Sequence, residues 1–329
     1  MTASTEARLG GRTQSRIPDF FIVGQAKSGT TALYTMLKHH PQIYMPEVKE
    51  PRFLASDLRD RFQIPATATM PDTMEEYLSL FAPAGPGQLA GEASPSYLTS
   101  QTAAGAIAQL QPAARIIAIF REPASFLHSL HLQFVQAHVE SEKDLRKALS
   151  LEPARRQGKR VPRSSHRPNV LLYSDHVRYV EQLRRYEAVF APRQMLVLVY
   201  DDFKRDNEGT VRQVLRFLEV DDDPPVVPRQ VNPTVHVRAQ RMHGLVHSVA
   251  SGRGPLARVA QASVKALGPV GLSRSSLVAV RNRVFFAAPA PPDERLMLEL
   301  RRRFKGEVVA LGEYLDRDLV AEWGYDRIG

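Results

Sequence analysis

Between Gly24 and Thr31 the chain reads GQAKSGTT, which puts two glycines, one lysine and three hydroxyl side chains into eight residues. A turn of this kind presents backbone N–H groups to an anion, and a helix starting behind it adds the positive end of its dipole. The apolar run Phe20–Val23 precedes the turn and helix-compatible residues begin at Thr30. Together they give the strand–loop–helix order of a phosphate-cradling loop. The nucleoside-triphosphate version, G-x-x-x-x-G-K-[ST], would place its lysine at position 30. Here Thr30 stands there, and the lysine of the loop, Lys27, lies inside the turn. The cradle is kept while its cation is moved, which argues for a phosphate-bearing ligand other than a conventional ATP–Mg²⁺ complex.

A second constellation lies at Arg115–Phe134, RIIAIFREPASFLHSLHLQF. Ile116–Phe120 is a continuous apolar run suited to a buried parallel strand. Arg121 stands at its C-terminal end, where open α/β sheets bind ligands. Pro123 then opens a helix-like segment with Ser129 eight residues after Arg121. A guanidinium grips phosphate with two parallel hydrogen bonds, and a hydroxyl adds one more. A competing pattern is Asp201 and Asp202 after the apolar run Met195–Tyr200, the strand end a P-loop kinase would use for its metal. A binding module that has kept the fold without catalysis is the third class.

The offset lysine, with Arg121 and Ser129 at their spacing, resembles the sulfotransferase family, which transfers sulfuryl from 3′-phosphoadenosine 5′-phosphosulfate (PAPS) to an acceptor. KEPRF at Lys49–Phe53, GEASPSYL at Gly91–Leu98, the Tyr-x-x-His segment with its following strand at Leu171–Phe203, and LGEYLDRDLVAEWG near the C-terminus are similar to its carbohydrate-type branch. That branch includes heparan sulfate sulfotransferases and many bacterial relatives. The resemblance covers roughly residues 17–235 and 290–325. It implies donor binding by Gln25, Ala26, Lys27, Ser28, Gly29, Thr30, Thr31, Arg121 and Ser129, with Lys27 serving the leaving group. It also implies Glu50 as the base that takes the acceptor's proton; His128, His131 and Glu92 are the competitors. No metal is expected. Arg52 stands where many relatives have histidine and Ala93 where several have lysine, so the acceptor (carbohydrate, lipid or natural-product hydroxyl, or an amine) is not carried over.

These groups need a scaffold, and the expected one is α/β: a P-loop-type parallel sheet flanked by helices, in a single domain with a substrate-covering insertion. Strands are predicted near 19–23, 115–120 and 195–200, and helices near 30–39, 75–81, 101–110, 124–136, 175–189, 208–218 and 293–315. Residues 1–16 read as a disordered tail, 17–325 as the domain, and 237–289 as its insertion. At 329 residues with 43% hydrophobic side chains, a sizeable core is available. There is no cysteine, which excludes disulfides and thiolate metal sites. The N-terminal residues lack the apolar core of a signal peptide and no run is long enough to span a bilayer, so a cytoplasmic location is expected. The net charge of +9 fits a polyanionic ligand, and peripheral membrane contact fits it too. No RNA-recognition or zinc-finger pattern accompanies it, so nucleic acid is not expected. Part of that charge, Arg155, Arg156, Lys159, Arg160, Arg163 and Arg167, reads as a basic loop.

Overall fold

The computed structural model describes residues 16–58, 70–162, 165, 168–223, 236–237, 286–287 and 292–328. Five parallel strands form the central sheet: β1 (Phe20–Gly24), β2 (Ile43–Tyr44), β3 (Leu89–Ala93), β4 (Arg115–Phe120) and β5 (Met195–Val199), in the order β2-β3-β1-β4-β5. From β1 the chain runs to the edge strand β2, returns to insert β3 between the two, and then crosses β1 to lay down β4 on the other side. The C-terminal ends of β1 and β4 therefore border the crevice where such sheets take ligands.

Both faces of the sheet are covered, which is why β1 and β4 are apolar without alternation. Phe21, Val23, Ile116, Ala118 and Phe120 face one buried cluster; Phe20, Ile22, Ile117 and Ile119 face the other. On the first face pack α2 (Met74–Ser79), α3 (Ala103–Leu110), α4 (Pro123–Gln136), α8 (Tyr179–Glu187) and α11 (Glu294–Leu315). On the second pack α1 (Thr30–Leu37), α9 (Tyr200–Arg205) and α10 (Asn207–Leu218). The expected stripe on α10, Val211, Val214, Leu215 and Leu218, is buried as its spacing requires. Each such side chain contributes about 1.5–3 kcal/mol when fully buried. Shorter helices are α5 (Leu145–Ser150), α6 (Glu152–Arg156), α7 (Tyr173–His176) and α12 (Leu319–Glu322).

The expected α/β sheet and its three long strands are present, with three departures. The helix expected over 175–189 is two helices, α7 and α8, separated at Val177–Arg178. Strand β3, LAGEA, has little β-propensity and carries no strand signal, yet it pairs with both β1 and β2. Its Gly91 is required by packing: a Cβ there would lie 2.2 Å from Phe20 Cζ and 2.5 Å from Met45 Sδ. The basic loop is the third correction, because Arg155 and Arg156 end helix α6. The Arg155 side chain is only 1% exposed and clasps the buried Glu140 carboxylate with two nitrogens, at 2.8 and 2.9 Å.

The expected tail lies outside the described residues except for Arg16. So does the 237–289 insertion, apart from a two-residue antiparallel pair at its ends, β6 (His236–Val237) and β7 (Phe286–Ala287). Strand β6 lies against α4. Among the described residues no helix is long and apolar enough to cross a membrane.

Candidate active site

The loop from β1 to α1 turns at Lys27 and Gly29, whose φ angles are 61° and 86°. Glycine is needed at position 29. Its left-handed backbone is one reason, and a Cβ would meet Phe203 at 2.8 Å is the other. No side chain caps the helix behind it and no acidic residue sits in its first turn. The first N–H groups of α1 therefore face the crevice with the dipole unopposed. Thr30 is buried, Thr31 and Ala26 are half-buried, and Ser28 is fully buried with its hydroxyl directed to the Ala26 carbonyl. Gln25 behaves differently from the rest of the predicted cradle. Its N–H donates to the Ile119 carbonyl (2.7 Å), and its side-chain amide donates to the His176 carbonyl (2.7 Å) and to Gln182 (2.8 Å). Its donors are spent on bracing the loop against β4 and α7–α8, so the ligand-facing donors are those of the residues that follow.

Arg121 leaves the end of β4 beside this loop. Its Nη1 donates to the Lys27 carbonyl at 3.1 Å and its Nε to Ser125 Oγ at 2.9 Å. Its guanidinium lies over the Tyr200 ring, 5.0 Å from the centroid. Burial and the neighbouring Arg121 charge push the Lys27 ammonium below its ordinary range. Among the described residues no carboxylate pairs with either cation. Ser129, expected to share the 3′-phosphate with Arg121, is 1% exposed one turn beyond Ser125 on the same face of α4. The hydroxyl that meets Arg121 directly is thus Ser125. Neither Ser125 nor Tyr200 is evident from motif spacing; the available signals were the i, i+4 relation to Arg121 and an aromatic residue at the end of β5.

The scaffold beneath Arg121 comes from distant segments. Glu122 caps α4 through the N–H groups of Ala124 (3.2 Å) and Ser125 (2.7 Å). It also accepts the Tyr325 hydroxyl at 2.6 Å. Tyr179 donates its hydroxyl to the Arg121 carbonyl at 2.8 Å. The two aspartates weighed as a kinase-type metal site are already engaged. Asp201 accepts from Trp323 Nε1 at 2.9 Å and Asp202 is gripped by both terminal nitrogens of Arg317.

Glu50 approaches from the neighbouring strand end, since its N–H donates to the Ala93 carbonyl at the end of β3 (3.1 Å). Its carboxylate sits between Lys49 Nζ (2.5 Å) and Arg52 Nη2 (2.6 Å). Burial works to raise its pKa, but the two adjacent cations and their hydrogen bonds prevail and hold it below the usual carboxylate range. Glu50 and Arg52 both have left-handed backbones, φ 60° and 55°, a strained choice for residues with side chains.

The competing bases separate clearly. His131 is 2% exposed, with one ring nitrogen on the Tyr173 hydroxyl (3.0 Å) and the other on the Lys143 carbonyl (3.1 Å). Neither nitrogen is left for an acceptor, so His131 is a packed core histidine. Glu92 is fully buried under Tyr77 and Tyr97 and cannot reach a bound acceptor. His128 is half-buried, and desolvation with the nearby His131 and Arg121 lowers its pKa.

Comparison with known proteins agrees with this geometry. The profile of the sulfotransferase family matches residues 18–224, well over half of the chain. Carbohydrate sulfotransferase 15 from Homo sapiens is 26% identical, over 62% of this chain and 44% of its own length, and the Mus musculus protein gives the same figures. The chain thus spans less than half the length of these curated relatives. Among solved structures, a sulfotransferase from Alicyclobacillus acidocaldarius is 28% identical, covering 72% of this chain and 93% of its own, with a TM-score of 0.58. With the matched span running from the strand before the anion loop to the end of α10, the chain belongs to the sulfotransferase family.

Proposed function

We propose that this chain moves the sulfuryl group of PAPS to an acceptor hydroxyl by in-line displacement. The observation that supports it most is the pair of cations, Lys27 and Arg121, set on adjacent strand ends around an uncapped helix start. PAPS has anionic groups at both ends of its ribose, a 5′-phosphosulfate and a 3′-phosphate, and two such cations suit it. In this reading the N–H groups from Ala26 to Thr31 hold the 5′-phosphosulfate. Arg121 holds the 3′-phosphate with the α4 hydroxyls of Ser129 and Ser125.

Lys27 then neutralises charge on the bridging oxygen as the sulfur–oxygen bond breaks. Crowded by Arg121, it gains most from an arriving anion, whose charge restores its proton affinity. Glu50 takes the proton of the acceptor hydroxyl while the acceptor oxygen bonds to sulfur. The electron pair of the broken bond leaves with 3′-phosphoadenosine 5′-phosphate. The ion triplet keeps Glu50 charged and able to accept a proton. The relatives' name suggests a carbohydrate hydroxyl as the acceptor class. The engagement of Asp201 and Asp202 by Trp323 and Arg317 counts against the kinase class.

The test is calorimetry with 3′-phosphoadenosine 5′-phosphate against ATP–Mg²⁺, followed by transfer of labelled sulfate from PAPS to a panel of sugars with and without EDTA. Selective binding of the adenosine bisphosphate and EDTA-resistant transfer are expected. Loss of transfer in EDTA with rescue by Mg²⁺ would sink the reading.

A further inference from the structure

Beneath the loop that carries Glu50 lies a carboxyl the transfer reaction does not use. Glu92 Oε2 accepts hydrogen bonds from the hydroxyls of Tyr77 (2.6 Å) and Tyr97 (2.9 Å), while its Oε1 is buried without a hydrogen-bond partner. Both tyrosines touch the Glu50 loop. The Tyr97 hydroxyl accepts the Leu54 N–H at 3.1 Å, and the Tyr77 ring stacks on Phe53 with centroids 4.8 Å apart. The residues flanking Glu92 add two more ties: the Ala93 carbonyl takes the Glu50 N–H and Ser94 Oγ takes the Arg52 N–H, each at 3.1 Å. A left-handed backbone at Glu50 and Arg52 persists only where the surroundings over-determine it, and these four ties do so.

We propose that Glu92 is a positioning residue that works through Tyr77 and Tyr97 to hold Lys49–Leu54 in the geometry aiming Glu50, and that its proton tunes the strength of that base. The inference rests on the reading of Glu50 as the base. A buried oxygen with no donor is where a carboxyl keeps a proton. Desolvation pushes the Glu92 carboxyl up to about 7; the nearby hydroxyls of Ser94, Tyr77 and Tyr97 work against the shift, and the Glu50 charge works with it. The ionisable groups facing Glu92 are Glu50 from the loop, itself paired with Lys49 and Arg52, Tyr77 from α2, Tyr97 from the turn after β3, and Tyr186 from α8. As pH rises through this range Glu92 becomes charged. A negative neighbour makes Glu50 a stronger base, and hydroxyls bind a carboxylate more tightly than its acid. Both effects raise turnover.

Glu92→Gln keeps the shape and an acceptor oxygen but cannot ionise. Wild-type kcat is expected to climb severalfold through an inflection near pH 7 that the variant lacks. At pH 8 the variant's kcat should fall about tenfold, the scale of one lost charge-assisted hydrogen bond, with KM for PAPS within about twofold. Glu50→Gln combined with Glu92→Gln should lose no more than Glu50→Gln alone, because Glu92 acts through Glu50. Additive losses, or a wild-type inflection in Glu92→Gln, overturn the proposal. If Glu92→Gln does not fold, Tyr97→Phe replaces it; unchanged kcat in that variant is equally fatal. If Glu50→Gln runs at the wild-type rate, the base reading fails on its own. Infrared spectra then still decide whether Glu92 stores the proton: a protonated-carboxyl band at pH 6, missing from Glu92→Gln, is required.

Discussion

The two sides of the crevice handle charge in opposite ways. On the side proposed to hold the donor, Lys27 and Arg121 repel each other and have no carboxylate partner among the described residues. On the side proposed to meet the acceptor, Glu50 is matched by Lys49 and Arg52 within 2.6 Å. The first region is incomplete until an anion arrives, whereas the second is complete in itself and must give up a partner, or share one, to meet a hydroxyl. Donor binding should therefore be strong and screened by salt, while proton removal is the step most exposed to local rearrangement.

The comparison breaks most sharply at its two charged centres. Glu50→Gln should cut turnover roughly 10²–10⁴-fold while leaving 3′-phosphoadenosine 5′-phosphate affinity intact by calorimetry. Near wild-type turnover would pass the role to His128, the remaining candidate with a half-open ring. Lys27→Ala should lower kcat by roughly 10²–10³-fold, the usual cost of losing one group that stabilises developing charge, with a smaller effect on product-nucleotide binding. Losses confined to binding would show that Lys27 only attracts the donor.

Milder changes sharpen it. Arg121 also ties the Lys27 carbonyl, so alanine would disturb the loop along with the phosphate contact. Arg121→Lys keeps the charge but loses the fork, and should weaken PAPS by about one to two decades while sparing adenosine 5′-phosphosulfate, which lacks the 3′-phosphate. Equal weakening of both would make Arg121 structural. Arg52→Ala removes a cation that, with Lys49, holds Glu50 low, so the acidic limb of the pH–rate profile should move upward. A limb that stays in place would assign it to another group. Ser125→Ala should be the smallest change, a few-fold loss in PAPS affinity equivalent to about 1 kcal/mol, read by calorimetry.

The anion loop and the strand end beside it, proposed to hold the donor, were largely legible in the sequence because their signals are local. An apolar run feeding a glycine turn reports strand and loop together, and Arg121 stands at the end of a second such run. What escaped depends on convergence from afar. Tyr200 lies under Arg121, and Gln25 is spent on residues 151 and 157 positions away, contacts that spacing along the chain does not encode. Strand β3 was hidden because packing against Phe20 demands glycine at position 91, a residue depleted in strands. The two histidines of α4 read alike as candidate bases, and only burial against Tyr173 and Lys143 separated them. The acceptor side was legible through KEPRF alone, and its left-handed backbone has no sequence mark beyond Pro51.

The contacts of Trp323 and Arg317 with Asp201 and Asp202 also set an order of events during synthesis. Helix α9, which they anchor, presses Phe203 and Tyr200 against Gly29 of the anion loop. The last residue proposed to touch the donor is Ser129, but Arg317 follows about 190 residues later, roughly 10–40 seconds at ribosomal speed. Through that interval the nascent chain holds every residue proposed to touch the donor and lacks the strut that steadies them. A fragment cut at residue 224, where the family match ends, would be arrested in that same state.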